Sequence, residues 1–281
     1  MPSSRMTAEQ KIGPTTASNR LFPVWSFLCL SAALSWTVWL WPVSKQAYLF
    51  ITFEGWRVRW PLGNIKLLVG NALPGLLALA WASAQGKEEL HDLLLSLLAW
   101  RTKLRWYVLS IALPSAVFVA SMCAVLIFFH GKPTRPTILV LLNSLVALPF
   151  GPLWEEIAWR ALALRKLQGH YSRLLSALII GVYWAVWHIP VWFLTLNYLT
   201  TTLLLVICVN LVSWSVIFAF LYDRSGQSLP VTILLHATYL TVQNYVTAVV
   251  LHGIIYIIPV VAALSVCLAV IVAKRWASDP A

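Results

Sequence analysis

The chain has 281 residues, of which 60% are hydrophobic and only 10% charged, and its mean hydropathy is +0.80. A soluble domain carries about 25% charged residues, so there are too few here to cover a water-facing surface. The formal net charge is +11, but the basic residues cluster at the ends of apolar runs. That placement argues against nucleic acid and for membrane topology, with anionic lipid headgroups as partners.

In chain order, residues 1–20 are polar and rich in Ser and Thr, and are expected to form a loose tail. Eight apolar runs follow, at 21–43, 65–84, 106–129, 138–164, 174–196, 199–222, 229–251 and 253–273. Each is close to the roughly 20 residues that a helix needs to cross a bilayer core. The expected fold is therefore an all-α polytopic membrane protein of about eight transmembrane helices in one bundle. Its divisions are a tail (1–20), N-terminal helices (21–136), a core (137–273) and a C-terminal tail (274–281). The first run has no obvious cleavage site and is too long for a signal-peptide core. Residues 48–60 mix aromatic and basic side chains, suiting an interfacial or re-entrant piece. Residues 87–105 are amphipathic and basic, and should lie along the membrane surface.

Cys29, Cys123, Cys208 and Cys267 each lie in a different apolar run without CxxC spacing, so they read as small core residues. Counting Lys and Arg with the N-terminus inside gives thirteen on the cytoplasmic side and six outside, with Arg160 inside a span. The positive-inside rule thus favours both termini in the cytoplasm of a bacterial plasma membrane. Four basic residues in the first outer loop run against this count.

Few ionisable residues fall inside the spans, and they coincide in depth. Glu155, Glu156 and Arg160 lie in PFGPLWEEIAWRALALRK, His188 in YWAVWHIPVW and His236 in LPVTILLHATYL. Such residues cost several kcal/mol at membrane depth and usually mark a functional site. A rise of about 1.5 Å per residue puts Glu155 roughly 15 Å from Arg165, His188 roughly 22 Å from Arg173 and His236 roughly 18 Å from Arg224. Three spans thereby bring them to one slab. Glu156 and Arg160 are i,i+4 neighbours and can neutralise each other, which fits a structural ion pair. Glu155 has Trp159 at i+4, which cannot neutralise it, and so is free for general-base work. Pro149, Gly151 and Pro152 should break the span, leaving the glutamates in the first turn of a half-helix, where the dipole favours anions. Broken helices are tolerated where they line an enclosed or watery cavity, and water at that depth is what a hydrolase needs.

These motifs resemble those of the CPBP intramembrane proteases, the CAAX-protease and bacteriocin-processing (Abi) family. Their signature is EExxxR, then FxxxH, then a His followed four residues on by Asn or Asp. The first is complete in Glu155, Glu156 and Arg160. The second is Trp184-Ala185-Val186-Trp187-His188, with Trp for Phe, and Trp184 is a candidate for substrate or oxyanion support. The third is His236-Ala237-Thr238-Tyr239-Leu240, with Leu240 where Asn or Asp is expected. The resemblance covers roughly residues 138–250. It implies an intramembrane endopeptidase in which Glu155 and His188 activate water, His236 donates to the oxyanion, and Glu156 and Arg160 support the site. Substrates implied by the resemblance are membrane-associated or prenylated proteins. Because Leu240 cannot donate, Asn210 is expected to face the site in its place. Asn244, roughly 12 Å beyond His236 along the helix axis, is expected to lie too far out.

Glu155, His188 and His236 also form a His2Glu set able to hold zinc with an open water position; the preferred reading requires no cofactor. Other intramembrane proteases are excluded: there is no HExxH, no Ser in a GxSxG-like context, and Asp92, Asp223 and Asp279 lie outside the spans. The alternatives from other classes are an inactive immunity or scaffold protein and a small proton-coupled transporter.

Overall fold

The computed structural model describes residues 18–42, 48–53, 56–129, 133, 151–196, 199–250 and 254–278. In chain order these form α1 (Ser18–Leu40), a hairpin of β1 (Tyr48–Phe53) and β2 (Trp56–Pro61), α2 (Leu62–Gln85), α3 (Lys87–Leu98) and α4 (Leu104–Phe128). After these comes α5, assembled from Pro152–Glu156, a π-helical stretch Ile157–Leu164, and Arg165–Gln168. It is followed by α6 (Arg173–Thr195), α7 (Thr201–Arg224), α8 (Leu229–Val249) and α9 (Ile254–Ser278). Seven of the eight expected spans fall on α1, α2, α4, α6, α7, α8 and α9. The fourth, 138–164, is described only from Gly151 onward, so Pro149 lies outside the described residues.

The chain is an all-α polytopic membrane protein. Among the described residues, α2, α4, α6, α7 and α9 contain stretches long and apolar enough to cross a membrane by length and composition. Large apolar side chains such as Val69, Leu76, Val108, Ile111, Val182 and Ile271 stand exposed along these helices, a surface that water would not tolerate but lipid requires. Lipid tails give helices no hydrophobic reason to associate, so small residues and interhelical hydrogen bonds hold such bundles together. Both are present. A Cβ on Gly181 of α6 would come within 2.9 Å of Val212 Cα and Ser215 Cβ on α7. Ser215 itself donates to the Ala177 carbonyl at 2.8 Å. Ser110 of α4 donates to the Val231 carbonyl of α8 at 2.9 Å.

Residues 48–60 were expected to be an interfacial or re-entrant piece; its described residues pair as antiparallel strands, with Tyr48 opposite Pro61 and Phe53 opposite Trp56. Alternating aromatic, β-branched and Arg residues have the period of two that a strand needs. The surface segment expected at 87–105 is α3 plus a short link to α4. Leu93 and Ser96 of α3 are buried against the bundle, while Leu94, Leu95 and Leu98 are exposed.

One end of the bundle gathers the segments assigned to the cytoplasm. Lys166 pairs with Glu89 at 2.6 Å and Arg165 with Asp92 at 3.5 Å, joining α5 to α3. Gln168 donates to Asp223 at 3.0 Å, and Thr102 donates to the Ser225 carbonyl at 2.9 Å. The α7–α8 turn there uses Gly226 at φ 77° and Gln227 at φ 60°, left-handed positions of which glycine takes the first without steric cost. α5 occupies the middle of the bundle, packed against α2, α3, α6, α7 and α8. All eight residues of its π-helical stretch are buried.

Candidate functional site

The site begins where α5 begins. Pro152 occupies the first helical turn, where its missing N–H costs nothing, and Glu155 lies in that same turn. A helix start is therefore present at Pro152, while the rest of the expected span, 138–150, lies outside the described residues. α2 reaches this turn at Gly75, where a Cβ would stand 2.5 Å from the Trp154 carbonyl oxygen. Only glycine allows that approach. Immediately after Glu156 the helix switches to π geometry, a form that recurs at functional positions in helices.

The two glutamates part company at this point. Both are buried, but Glu155 lines a cavity of about 450 Å³ and Glu156 does not. Behind the cavity wall, Glu156 Oε1 accepts from Arg160 at 3.1 Å and from His236 Nδ1 at 2.9 Å. The Arg160 guanidinium, fully buried, also lies over the rings of Phe218 at 4.4 Å and Trp184 at 5.1 Å, where the ring quadrupoles attract a cation. The expected ion pair is thus formed, and it carries His236 as a third member.

His236 is 2% exposed, with its ring edge-on to Phe218 at 5.4 Å and Trp184 at 5.5 Å. A carboxylate only accepts, so Nδ1 bears a proton and Nε2 is the nitrogen left for the cavity that His236 also lines. His188, half-buried on α6, has the same arrangement. Its Nδ1 lies 2.9 Å from the Trp184 carbonyl, which again can only accept. Its ring is clamped between Trp187 at 4.7 Å and Trp192 at 5.5 Å, and in the neutral ring Nε2 keeps its lone pair.

Trp184 joins these parts. Its indole N–H donates to Glu155 Oε2 at 2.7 Å, and its ring touches both histidines. The Trp that stands where the motif has Phe thus supplies a donor that Phe lacks. An arrangement of a carboxylate, a neutral imidazole nitrogen and a roomy cavity can hold a water and take a proton from it.

The cavity is walled by α2, α4, α5, α6, α7, α8 and α9, and both asparagines reach it. Asn210, 7% exposed, donates from Nδ2 to the Tyr239 hydroxyl at 2.9 Å. Asn244, expected to lie too far out, is exposed but also lines the cavity. A run of α8 side chains with helical spacing, His236, Tyr239, Leu240, Gln243, Asn244 and Thr247, faces it, which extends the cavity along the helix. Tyr239 and Gln243 were not singled out in the sequence. Their signal was available: each is polar and shares the His236 face at i+3 and i+7. Glu155, His188 and His236 line one cavity, but among the described residues no group of three His, Cys, Asp or Glu side chains is gathered closely enough to hold a metal.

Residues 136–242 match the family model of the type II CAAX prenyl endopeptidase Rce1-like proteins. This segment contains the complete first motif and the altered second and third, and it bears out the resemblance to the CPBP proteases read from them. The chain is also similar to CAAX prenyl protease 2 of Methanococcus maripaludis, being 36% identical over 45 residues, 16% of this chain. That match spans 17% of the archaeal protein's length.

Proposed function

We propose that this protein is an intramembrane endopeptidase that hydrolyses a peptide bond in a prenylated or otherwise membrane-anchored protein. The observation that carries the reading is the separation of roles between two adjacent carboxylates. Glu155 faces a cavity beside two histidines, while Glu156 is committed to Arg160 and His236 behind it. The match to Rce1-like proteins supports the same class of reaction and substrate.

In this mechanism Glu155 and His188 hold a water in the cavity. Glu155 takes one of its protons as the oxygen attacks the scissile carbonyl carbon. The carbonyl electron pair moves onto oxygen, and the oxyanion is met by donors in the cavity, His236 Nε2 among them when protonated. Collapse breaks the C–N bond, and the proton held by Glu155 goes to the leaving amine. No step requires a metal, and the preferred reading uses none.

One observation favours a second reading, an inactive relative serving as an immunity or scaffold protein: Leu240, which lines the cavity, cannot donate to an oxyanion. The deciding experiment uses detergent-purified protein and a farnesylated peptide with a quenched fluorophore across its last four residues. Cleavage by the wild type, absent in Glu155→Gln and in His188→Ala, supports the protease. A wild type that binds the peptide but releases no fluorophore supports the inactive relative.

A further inference from the structure

We propose that the Tyr239 hydroxyl is the oxyanion donor that stands in for the missing amide at Leu240, with Asn210 as its positioning residue; this rests on the endopeptidase reading. Tyr239 follows His236 by three positions, so the two side chains project from the same face of α8. Both line the cavity that Glu155 and His188 also reach. The Tyr239 ring is fixed edge-on between Trp214 at 5.0 Å and Phe118 at 5.2 Å, which leaves its hydroxyl little freedom to wander.

The direction of the hydroxyl hydrogen follows from its partner. A phenol oxygen has one hydrogen and two lone pairs. Asn210 Nδ2 donates to that oxygen at 2.9 Å, and so occupies a lone pair. The hydrogen of Tyr239 is then left without an acceptor among the described residues, free to be offered to a ligand in the cavity. The donated amide hydrogen also polarises the phenol and strengthens its own donation. Asn210 is 7% exposed and Tyr239 6%, so this pair is shielded from bulk water. A preorganised donor in such a setting needs no reorganisation when charge develops on the carbonyl oxygen.

The step is a hydrogen bond and not a proton transfer. Water oxygen bonds to the carbonyl carbon, its proton passes to Glu155, and the carbonyl π pair becomes the oxyanion lone pair that accepts from Tyr239. When the C–N bond breaks, that pair re-forms the carbonyl, the proton on Glu155 reaches the amine nitrogen, and Tyr239 keeps its hydrogen throughout.

The test uses steady-state kinetics of the full-length protein in detergent with the farnesylated peptide. Tyr239→Phe keeps the packing against Trp214 and Phe118. It should lower kcat by about 100-fold, the loss typical of one oxyanion donor, while KM stays within about twofold. Asn210→Leu should lower kcat by about tenfold in the same pattern. Adding Leu240→Asn to Tyr239→Phe restores a donor from the next position of α8 and should recover about tenfold, whereas Leu240→Ala should recover nothing. An unchanged kcat in Tyr239→Phe overturns the assignment, and so does a loss that Leu240→Ala rescues as well as Leu240→Asn. Glu155→Gln in the same assay separates the two proposals. If Glu155→Gln is dead and Tyr239→Phe keeps the wild-type kcat, only the Tyr239 role falls; if Glu155→Gln remains fully active, the cleavage does not use this cavity and both fall.

Discussion

Trp184 holds Glu155 from one side and His188 from the other: its indole N–H donates to Oε2 at 2.7 Å, and its carbonyl lies 2.9 Å from the histidine Nδ1. Glu155 is therefore aimed by a residue on a different helix, 29 positions away. Trp184→Phe removes the indole donor while leaving the backbone carbonyl and most of the ring contacts. Its peptidase kcat/KM is expected to fall about 10–100-fold, because hydrogen bonds to charged groups are worth roughly 1.5–3 kcal/mol. Activity equal to wild type would mean that this bond does not position the carboxylate for reaction.

Glu155→Gln should abolish cleavage while the protein still inserts and folds. Gln preserves the volume and can still accept from Trp184, but it cannot take a proton from water. Loss of a general base costs about 10²–10⁴-fold in rate. Size-exclusion chromatography and thermal melting in detergent should match the wild type.

Arg160→Ala is expected to behave in the opposite way. It leaves Glu156 as a buried charge without its guanidinium, and breaking a buried pair costs about 3–5 kcal/mol. The variant should melt well below Glu155→Gln or fail to accumulate in membranes. Equal melting of the two variants would contradict the separation of roles between the adjacent glutamates.

Gly75→Ala tests the approach of α2 to the first turn of α5. A Cβ at this position would stand 2.5 Å from the Trp154 carbonyl oxygen and 2.7 Å from its Cα, so backbone must move. Overpacking of this kind costs about 1–3 kcal/mol, and the turn that moves carries Glu155. Both the melting temperature and kcat should fall. A fall in melting temperature with kcat intact would show that Glu155 holds its place independently of α2.

If the reaction is metal-free, activity should survive dialysis against a strong chelator. Elemental analysis of the purified protein should then find no stoichiometric zinc. Zinc at one equivalent, lost together with activity in His188→Ala, would assign Glu155, His188 and His236 as ligands instead.

Charge scarcity is what made Glu155, Glu156, Arg160, His188 and His236 legible in the sequence. In apolar spans each stands out singly, and helical rise alone brought them to a common depth. Trp184 stood out as the aromatic position of the second motif and a candidate for substrate or oxyanion support, but its bond to Glu155 was hidden, because one indole N–H among 16 Trp residues reads as packing until its partner on α5 is known. Tyr239 was passed over because a tyrosine in an apolar helix reads as packing until its hydroxyl partner on α7 is known. The π-helical stretch from Ile157 to Leu164 has no composition signature, since it arises from a shift in hydrogen-bond partners that helix propensity does not encode. The strand pairing of 48–53 with 56–61 was not legible because a short aromatic and basic run shows that a piece is interfacial without fixing its secondary structure.

A single oxygen atom, Oε1 of Glu156, neutralises Arg160 and also aims the imidazole of His236. The bundle's internal charge and the pointing of a cavity nitrogen thus share one anchor. Exchanging Arg160 for Lys would relocate the positive charge, and with it the lone pair left for His236. The repair would have to involve α5, α7 and α8 together, because Phe218 on α7 also faces the guanidinium. Trp184 and Leu240 border the cavity without carrying its charge, and these are the two places where this chain departs from the motif pattern.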